Sequence, residues 1–494
     1  MYKKLAVIVI VIGIGLRIRE YLLARTFSFD EAAVAISLMD KSWSDMGNLY
    51  YHMHRPYGFL LVVKSIISVL GNHELAFRLV PLVAGIAGVF LFYKLAVRLL
   101  HHQVALLALG LFAVSPRVVG YSAVLREYSL DILINLLIFL LLTHYLAKEK
   151  ITAKEVLVLG LGGAIFIWVS NPALFTLLFV GITAPVYLLS TRKKALLVQF
   201  GGVALLWLVS AVVNYFVVIK PAAADAQFLV DLSVDFPPMP HQFLSSSRWF
   251  GERFLSEVLY YQVGTTYFPA LILLLVGGYS FWQRNRWVFF CLVAPLMLVW
   301  LLAYFDRFPV TGRHLLFTAP AVMLFVASGV GRGFRWAQRH TYKTIAVAIM
   351  AGWLVVGVGA YYVDFQIRFG EEQENIKQML VFLREQMQEG DWIYVYNSTV
   401  APYKYYAPRY VLKELPYIEG SYRTTVSFSN YTQDIQILRG KSRVWAIFTH
   451  NYDWGLIDEQ AFIVSYFDSI GQRLSFYPYG TSALYLYDLS EKVR

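Results

Sequence analysis

The chain has 494 residues, of which 58% are hydrophobic and only 15% are charged, whereas soluble domains carry about 25% charged residues. The formal net charge is +11, but it is uneven. Residues 370–494 carry 12 Lys+Arg and 15 Asp+Glu, a balance of −3, which leaves +14 for the rest. This distribution argues against nucleic acid as a partner and for basic loops that face a membrane surface. The single cysteine, Cys291, excludes an intrachain disulfide and a cysteine-based metal site.

Long apolar runs recur from the first residues to about residue 363 and predict a polytopic α-helical membrane protein with about eleven transmembrane helices. The N-terminal run follows Lys3 and Lys4 and lacks a small-residue cleavage site, so we interpret it as a retained signal anchor. Arg17, Arg19 and Glu20 interrupt this first span, which predicts snorkelling or pairing with another helix. The predicted spans cover residues 5–24, 76–100, 103–119, 126–147, 153–170, 172–190, 195–219, 265–282, 287–305, 312–331 and 342–363.

Basic residues between these spans predict the orientation of the chain. The apolar stretch 56–70 is short for a crossing. If it does not cross, the basic clusters all fall on one side, which we take as cytoplasmic. The N-terminus is then cytoplasmic. Loops 25–75 and 220–264 and residues 366–494 then lie on the outer, periplasmic side. The clusters are Lys3/Lys4, Lys94/Arg98, Lys148/Lys150/Lys154, Arg192/Lys193/Lys194, Arg284/Arg286 and Arg332/Arg335/Arg339/Lys343.

Two regions outside the spans have recognisable patterns. Residues 31–52 are amphipathic and aromatic, which predicts helices lying in the outer interface. Residues 366–494 lack long apolar runs. They alternate a predicted helix at 371–388 and a helix beginning near 401 with predicted strands at 392–396, 444–448 and 483–487. This alternation predicts an extracytoplasmic α/β domain. The loop 220–264 is long enough for a lid or a binding loop, although a plain connection fits equally well.

Several polar groups fall on the predicted outer face. Asp30 and Glu31 follow the first span, where a charge is costly unless it faces water, protein or a substrate. They also fit a simple helix cap. Arginines recognise phosphate through a fork of donors, and a nearby carboxylate can serve as a general base. The remaining candidates in the outer regions are His54, Arg55, Tyr57, Arg126, Tyr128, Arg313 and His314.

Each of these candidates also has an ordinary structural interpretation. Arg126 and Arg313 fit residues that snorkel or bind ordinary anionic headgroups, because basic residues often flank spans. Tyr128 fits an aromatic belt or a core position. His52 and His54 with nearby acids leave a divalent metal open, but alternate spacing on a loop is a weak metal signal.

The order of these motifs resembles the GT-C superfamily of membrane glycosyltransferases. The similarity is greatest to the family 39-like group, related to protein O-mannosyltransferases and the lipid A aminoarabinose transferase. It covers about residues 1–365, and the tail resembles the outer domains of bacterial members. Two departures, Arg55 in place of the first Pro of His-Pro-Pro and His314 in place of Tyr, bear on donor or acceptor preference. The residues that carry the resemblance are Phe29-Asp30-Glu31-Ala32, His54-x-Pro56-Tyr57, Asn72-x-Glu74-x-Ala76-x-Arg78, Tyr121-Ser122, Arg126-x-Tyr128, Arg313-His314-Leu315-Leu316, Ala319-Pro320, Gly390–Val395 and Tyr405-Tyr406.

The resemblance implies an inverting sugar transfer from a polyprenyl-phosphate donor to a hydroxyl of a glycan, lipid or protein acceptor outside the membrane. By this likeness Asp30 is the general base, Glu31 orients it or the acceptor, and Arg126 and Arg313 hold the leaving phosphate. His54, Arg55, Tyr57, Tyr128 and His314 are implied to bind substrate. Relatives differ in metal dependence, so a cofactor is left open. A lipid-linked oligosaccharide polymerase or ligase remains an alternative. A non-catalytic lipid-linked sugar transporter fits less well, because we find no internal repeat and the charges cluster at span ends.

Overall fold

The computed structural model describes residues 1–52, 54–225, 236–237, 243–264, 267–337, 341–371, 375–410, 416–421, 429–449 and 458–490. The chain divides into two compact units. We call residues Met1–Leu23 and His54–Phe365 the helical unit, and Ala24–Met53 and Gln366–Arg494 the α/β unit.

Helices dominate the chain as far as residue 371. They are α1 (Tyr2–Leu22), α2 (Phe29–Asp40), α3 (Tyr57–Leu70), α4 (Glu74–Leu99), α5 (His102–Val114), α6 (Pro116–Gly120), α7 (Tyr128–Tyr145), α8 (Ala153–Val169), α9 (Asn171–Ser190), α10 (Lys194–Asn214), α11 (Lys220–Ala224), α12 (Phe243–Arg253), α13 (Tyr261–Val263), α14 (Tyr267–Arg284), α15 (Arg286–Tyr304), α16 (Ala319–Ala337) and α17 (Thr341–Glu371). Short 3₁₀ turns occur at Tyr50–His52, Tyr121–Ala123 and Leu316–Thr318, and π-helical turns at Tyr215–Ile219 and Phe254–Tyr260.

These helices confirm the predicted polytopic membrane fold. Within the described residues, 7 helices are long and apolar enough to cross a membrane, or 9 when two bent pairs each count as one span. Two further helices coincide with predicted spans. One is α1, in which Arg17, Arg19 and Glu20 lower the hydropathy, and the other is α8, which is 17 residues long. Helix α3 covers only 14 residues, too few to span hydrocarbon about 30 Å thick.

Arg17 of the first span is buried against protein rather than snorkelling. The Arg17 guanidinium is fully buried, and its Nη1 donates to the Gly13 carbonyl at 2.8 Å and the Ala113 carbonyl at 3.0 Å. Its Nη2 donates to the Phe112 carbonyl at 3.4 Å. Helices α1 and α5 therefore meet through a buried arginine, because Arg17 takes up carbonyls where α5 ends.

A break between α5 and α6 shapes one end of the helical unit. The two helices bend by 56° around Ser115, directly before Pro116. Proline lacks a backbone donor and disfavours a helical conformation in the residue before it, so the chain turns there. The Ser115 hydroxyl donates to the Gln262 carbonyl at 2.9 Å, which ties the break to α13. The chain then enters the turn Tyr121–Ala123 and reaches Arg126 just before α7.

The α/β unit contains a mixed five-stranded sheet. Its strands are β1 (Trp392–Val395), β2 (Tyr417–Glu419), β3 (Val444–Phe448), β4 (Gln472–Tyr479) and β5 (Ser482–Asp488), in the order β2-β1-β3-β5-β4. Its C-terminal helices are α18 (Ile376–Gln386), α19 (Asn397–Tyr406), α20 (Ser429–Gln436) and α21 (Glu459–Ile470).

The pairing of these strands follows from their connections. Strand β1 pairs in parallel with β2 and β3, Trp392 lying opposite Val444, and helices separate these strands along the chain. Strands β4 and β5 form an antiparallel hairpin whose turn contains Gly480 at φ 66°, a left-handed conformation that glycine adopts without strain. The α/β domain predicted for residues 366–494 is therefore present.

A buried carboxylate in this unit is satisfied locally. The Asp391 side chain is 1% exposed and accepts hydrogen bonds from Arg443 Nε and Trp445 Nε1, both at 2.8 Å. It thus links the start of β1 to β3 through a buried carboxylate that is both paired and hydrogen-bonded.

Residues 24–53 group with the α/β unit, whereas the sequence places them with the membrane domain. Helix α2 does not lie in a lipid interface as expected, since Phe29 and residues Glu31–Leu38 are buried. It packs on α19 of the same unit. Its many alanines allow close approach to another helix, so its apolar surface meets protein.

The predicted loop 220–264 contains α11, α12, the π-helical turn Phe254–Tyr260 and α13 within its described residues. The expectation of a lid falls mainly on residues 226–235 and 238–242, outside the described residues.

Candidate functional site

Arg126 and Tyr128 lie at the beginning of α7. Arg126 is 5% exposed, and its guanidinium carbon is 5.8 Å from the centroid of the Tyr128 ring. The Arg126 amide donates to the Val124 carbonyl at 2.7 Å, which closes a tight turn directly before the helix. The turn points a cation at an aromatic ring near the helix N-terminus, where the helix dipole also favours an anion.

The segment before α16 brings a second cation and a histidine to Tyr128. The His314 ring lies 6.1 Å from the Tyr128 ring in an edge-on arrangement, and its Nδ1 is hydrogen-bonded with the Thr311 hydroxyl at 2.9 Å. Arg313 directly precedes His314, so the contact of His314 with Tyr128 brings Arg313 to the same end of α7 as Arg126. Two arginines from distant parts of the sequence therefore lie at one end of this helix.

Glu257 and Tyr261 support the segment that carries Arg313, and the sequence analysis indicated neither of them. Glu257 accepts a hydrogen bond from the Gly312 amide at 2.8 Å and lies 3.3 Å from Arg253 Nη1. Gly312 has no room for a side chain, because a Cβ there would lie 2.3 Å from the Tyr261 ring. The backbone that carries Arg313 is therefore held by a carboxylate and packed directly on an aromatic ring.

A second aromatic group lies beside the first. The Tyr121 ring contacts Tyr128 edge-on at 4.9 Å, and its hydroxyl is hydrogen-bonded with the Tyr261 hydroxyl at 2.7 Å. Arg117 lies over the Tyr261 ring at 4.4 Å and donates from Nε to the Tyr361 hydroxyl at 2.8 Å. Cation–π contacts of this kind fix a guanidinium in place. Nothing in the sequence spacing distinguished Arg117 or Tyr261.

Arg55 joins this region through an acidic neighbour of Arg126. Its Nε is 3.7 Å from the Glu127 carboxylate, and the two side chains are only 11% and 10% exposed. His54 pairs with Asp225 at 3.1 Å. Tyr57 contacts Trp168 of α8 at 6.4 Å between centroids. The helical unit thus gathers Arg55, Arg126, Tyr128, Arg313 and His314 into one set of contacts, while His54 and Tyr57 have other partners.

The predicted acidic pair occupies the first turn of α2, and its two carboxylates differ. Ser28 caps the helix in a capping box: its side chain accepts from the Glu31 amide at 3.4 Å, and Glu31 Oε2 accepts from the Ser28 amide at 3.3 Å. Glu31 is 4% exposed, whereas Asp30 is partly exposed. The simple helix-cap interpretation therefore describes Glu31, and it leaves Asp30 as the more accessible carboxylate.

Aromatic residues of the α/β unit fix this first turn. The Phe27 amide donates to the Tyr406 hydroxyl at 2.9 Å, and the Phe27 ring lies 4.9 Å from the Tyr405 ring. The Phe29 ring contacts Tyr51 at 5.3 Å. Burial raises the pKa of the Tyr51 phenol. The Tyr405-Tyr406 pair therefore has a structural role in positioning the acidic turn.

The two units offer different chemistry. The helical unit presents guanidinium groups and a histidine, which suit a phosphate. The α/β unit presents a carboxylate that can accept a proton. Within the described residues, no three His, Cys, Asp or Glu side chains group as ligands for a metal ion.

Part of the helical unit matches a known protein family. Residues 54–218 match the model of a family described as dolichyl-phosphate-mannose-protein mannosyltransferase. No curated protein sequence matches the chain.

Two kinds of solved structure share the fold. The structure of ArnT from Cupriavidus metallidurans bound to undecaprenyl phosphate is 10% identical, covers 98% of this chain and 97% of its own, and has a TM-score of 0.54. The oligosaccharyltransferase AglB from Archaeoglobus fulgidus, in complex with an inhibitory peptide and a dolichol-phosphate, is 11% identical with a TM-score of 0.53. That match covers 99% of this chain and 74% of AglB. The family model thus matches about one third of the chain, and the chain shares the fold of ArnT and AglB.

Proposed function

We propose that the protein transfers a sugar from a polyprenyl-phosphate-linked donor to an acceptor hydroxyl on the outer, periplasmic side of the membrane. The observation that carries this proposal is the placement of Arg126 and Arg313 at the Tyr128 end of α7, beside His314. The undecaprenyl phosphate bound to ArnT and the dolichol-phosphate bound to AglB supply the donor class by analogy.

The two arginines act on the leaving group. When the bond between the anomeric carbon and the phosphate oxygen breaks, the electron pair stays on that oxygen and the phosphate gains negative charge. Fixed guanidinium groups stabilise such charge most when they are already in place before the reaction. The contacts of Arg126 with Tyr128, and of the Gly312 amide with Glu257, limit the movement of both segments.

Asp30 is the general base in this proposal. It takes the proton of the acceptor hydroxyl while the hydroxyl oxygen attacks the anomeric carbon from the side opposite the phosphate, which inverts the configuration. Its partial exposure in the first turn of α2 suits a group that must meet an acceptor. Glu31 has a positioning role, because its carboxylate holds the turn on which Asp30 stands.

The direct test is sugar transfer by the purified full-length protein. Radiolabelled polyprenyl-phosphate sugars would be supplied with a panel of glycan, lipid and peptide acceptors, and the released polyprenyl phosphate would be measured with the labelled product. We expect equal amounts of both. Product formation only from pyrophosphate-linked oligosaccharides would instead favour the polymerase or ligase alternative. Movement of labelled lipid across vesicles without product would identify a transporter.

The proposed orientation predicts a cysteine-labelling pattern. In a Cys291→Ser background, single cysteines would replace Lys404 or Lys193. A membrane-impermeant maleimide applied to intact cells should label the Lys404→Cys variant but not the Lys193→Cys variant. The reason is that the basic clusters mark the cytoplasmic side. Labelling of both positions after permeabilisation is the control. Labelling at position 193 in intact cells would contradict the orientation.

A further inference from the structure

A cleft at the other end of α7 has no part in the proposed reaction. It lies between helices α7, α8, α9 and α10, and it comprises an inner cavity of about 40 Å³ within a wider cleft of about 540 Å³ that includes its open mouth. Leu142, Tyr145 and Leu146 of α7 line it, together with Phe166, Phe200 and Trp207. The Trp207 Nε1 donates to the Leu159 carbonyl at 3.0 Å, so this indole is already satisfied. The walls therefore suit hydrocarbon rather than water.

This cleft is separate from the arginine site. Tyr128 is the first residue of α7 and Tyr145 is the last, so the two ends of this 18-residue helix lie about 25 Å apart. A phosphate held by Arg126 therefore cannot also reach the cleft end of the helix.

The polar frame of the cleft is well fixed. The amide and carbonyl of Ile151, which lines the cleft, both bond to the Gln199 side chain, at 3.0 Å and 2.6 Å. Lys193 Nζ donates to the carbonyl of Leu146 at 3.1 Å and to that of Lys148 at 2.8 Å. These bonds satisfy the carbonyl end of α7 and join it to the start of α10.

Cations surround the same end of the cleft. Residues 144–155 and 191–199 contain six Lys or Arg and two Glu, a net charge of +4. Glu155 pairs with Lys148 at 2.5 Å, and Glu149 lies 3.3 Å from Lys193. Lys150, Lys154, Arg192 and Lys194 are exposed. An apolar cleft bordered by exposed cations matches a ligand with a hydrocarbon chain and an anionic head.

We propose that this cleft binds an anionic phospholipid of the membrane, with one acyl chain among α7–α10 and the phosphate beside Lys150, Lys154 and Lys194. Basic pockets between transmembrane helices on the cytoplasmic side bind anionic headgroups in this way. The acyl chain supplies contacts that the cleft walls otherwise lack. Because the lipid binds only the folded protein, it raises the temperature of unfolding.

Lipid binding to the purified full-length protein tests this inference. Native mass spectrometry and thermal unfolding would compare phosphatidylglycerol, phosphatidylcholine with the same acyl chains, and undecaprenyl phosphate. We expect phosphatidylglycerol to bind more tightly than phosphatidylcholine and to raise the unfolding temperature. The double variant Lys150→Gln/Lys154→Gln should weaken phosphatidylglycerol binding at least about tenfold. The matched variant Arg284→Gln/Arg286→Gln, which removes two exposed cations from another loop, should not.

A second variant tests the cleft itself. Leu142→Trp fills part of the cleft and should weaken phosphatidylglycerol binding there. Anionic lipids that bind elsewhere on the protein surface should be unaffected by this variant. Equal binding of the two phospholipids would overturn the inference, as would wild-type binding by both the lysine and the Leu142 variants. Displacement of phosphatidylglycerol by undecaprenyl phosphate would also overturn it and would assign the cleft to the donor chain. None of these readouts depends on sugar transfer.

Discussion

Replacing Asp30 by Asn is expected to slow sugar transfer at least about a hundredfold while donor binding is retained. A hydroxyl is a poor nucleophile near neutral pH, and a positioned base contributes typically about a hundred- to ten-thousand-fold, or roughly 3–5 kcal/mol of barrier. Asparagine keeps the shape of aspartate but cannot take the proton. The measurement is the transfer rate at saturating donor with equal amounts of monodisperse protein.

Helix α2 supplies the matched control for this experiment. Asp40 is an exposed aspartate at the other end of the same helix. Asp40→Asn should transfer sugar at the wild-type rate. Near-wild-type transfer by Asp30→Asn would remove Asp30 as the base.

Glu31→Gln separates positioning from catalysis. Glutamine can still accept a hydrogen bond from the Ser28 amide, so the capping box survives in weakened form. We therefore expect a smaller loss of rate than for Asp30→Asn, with the pH dependence of transfer unchanged. If Glu31→Gln were inactive and Asp30→Asn active, the two roles would have to be exchanged.

The membrane fold could be predicted from sequence because the bilayer limits the possibilities. A span must be a long apolar helix, so hydropathy located the helices, and α1 was found despite Arg17, Arg19 and Glu20. The surroundings of Arg17 could not be found in this way. Its partners on α5 are the backbone carbonyls of Phe112 and Ala113. Every residue has a backbone carbonyl, so the sequence does not reveal which ones bind the arginine.

In the α/β unit, the sequence pattern predicted some strands and missed others. Strand β3 was predicted because Val444–Phe448 is an uninterrupted apolar run, and the structure buries this run fully. Strand β2 has only three residues, and β4 alternates exposed and half-buried positions and contains Pro478, so neither has such a run. The sequence also did not predict that α2 groups with this unit, because an alanine-rich amphipathic helix suits a membrane interface and a protein surface equally.

The sequence predicted residues of the candidate site only where a residue type is unusual for its position along the chain. Arg126 and Arg313 stand out because a charge at the end of a span needs a reason. Glu257 and Arg117 were missed, since their roles depend on contacts with Gly312 and Tyr361 that are distant in sequence.

Replacing Arg313 by Ala is expected to reduce transfer at least about a hundredfold, the range seen when one group that stabilises developing charge is removed. Donor binding should weaken as well, because in the proposed reaction the same guanidinium meets the phosphate before the sugar is transferred. Arg313→Lys keeps the charge but replaces the planar fork of donors by a single ammonium. We therefore expect Arg313→Lys to bind donor better than Arg313→Ala and still transfer at least about tenfold more slowly than wild type.

Arg307 lies in the same segment, is exposed and provides the matched control. Arg307→Ala should leave both donor affinity and rate near wild type, since it removes a cation of the same loop that does not contact the Tyr128 group. Donor affinity is measured by equilibrium binding of a labelled polyprenyl-phosphate sugar, and the rate by product formation at saturating donor. If Arg313→Ala kept the wild-type affinity and rate, Arg313 would be a contact for ordinary lipid headgroups. The leaving phosphate would then depend on Arg126 alone among the two arginines at the Tyr128 end of α7.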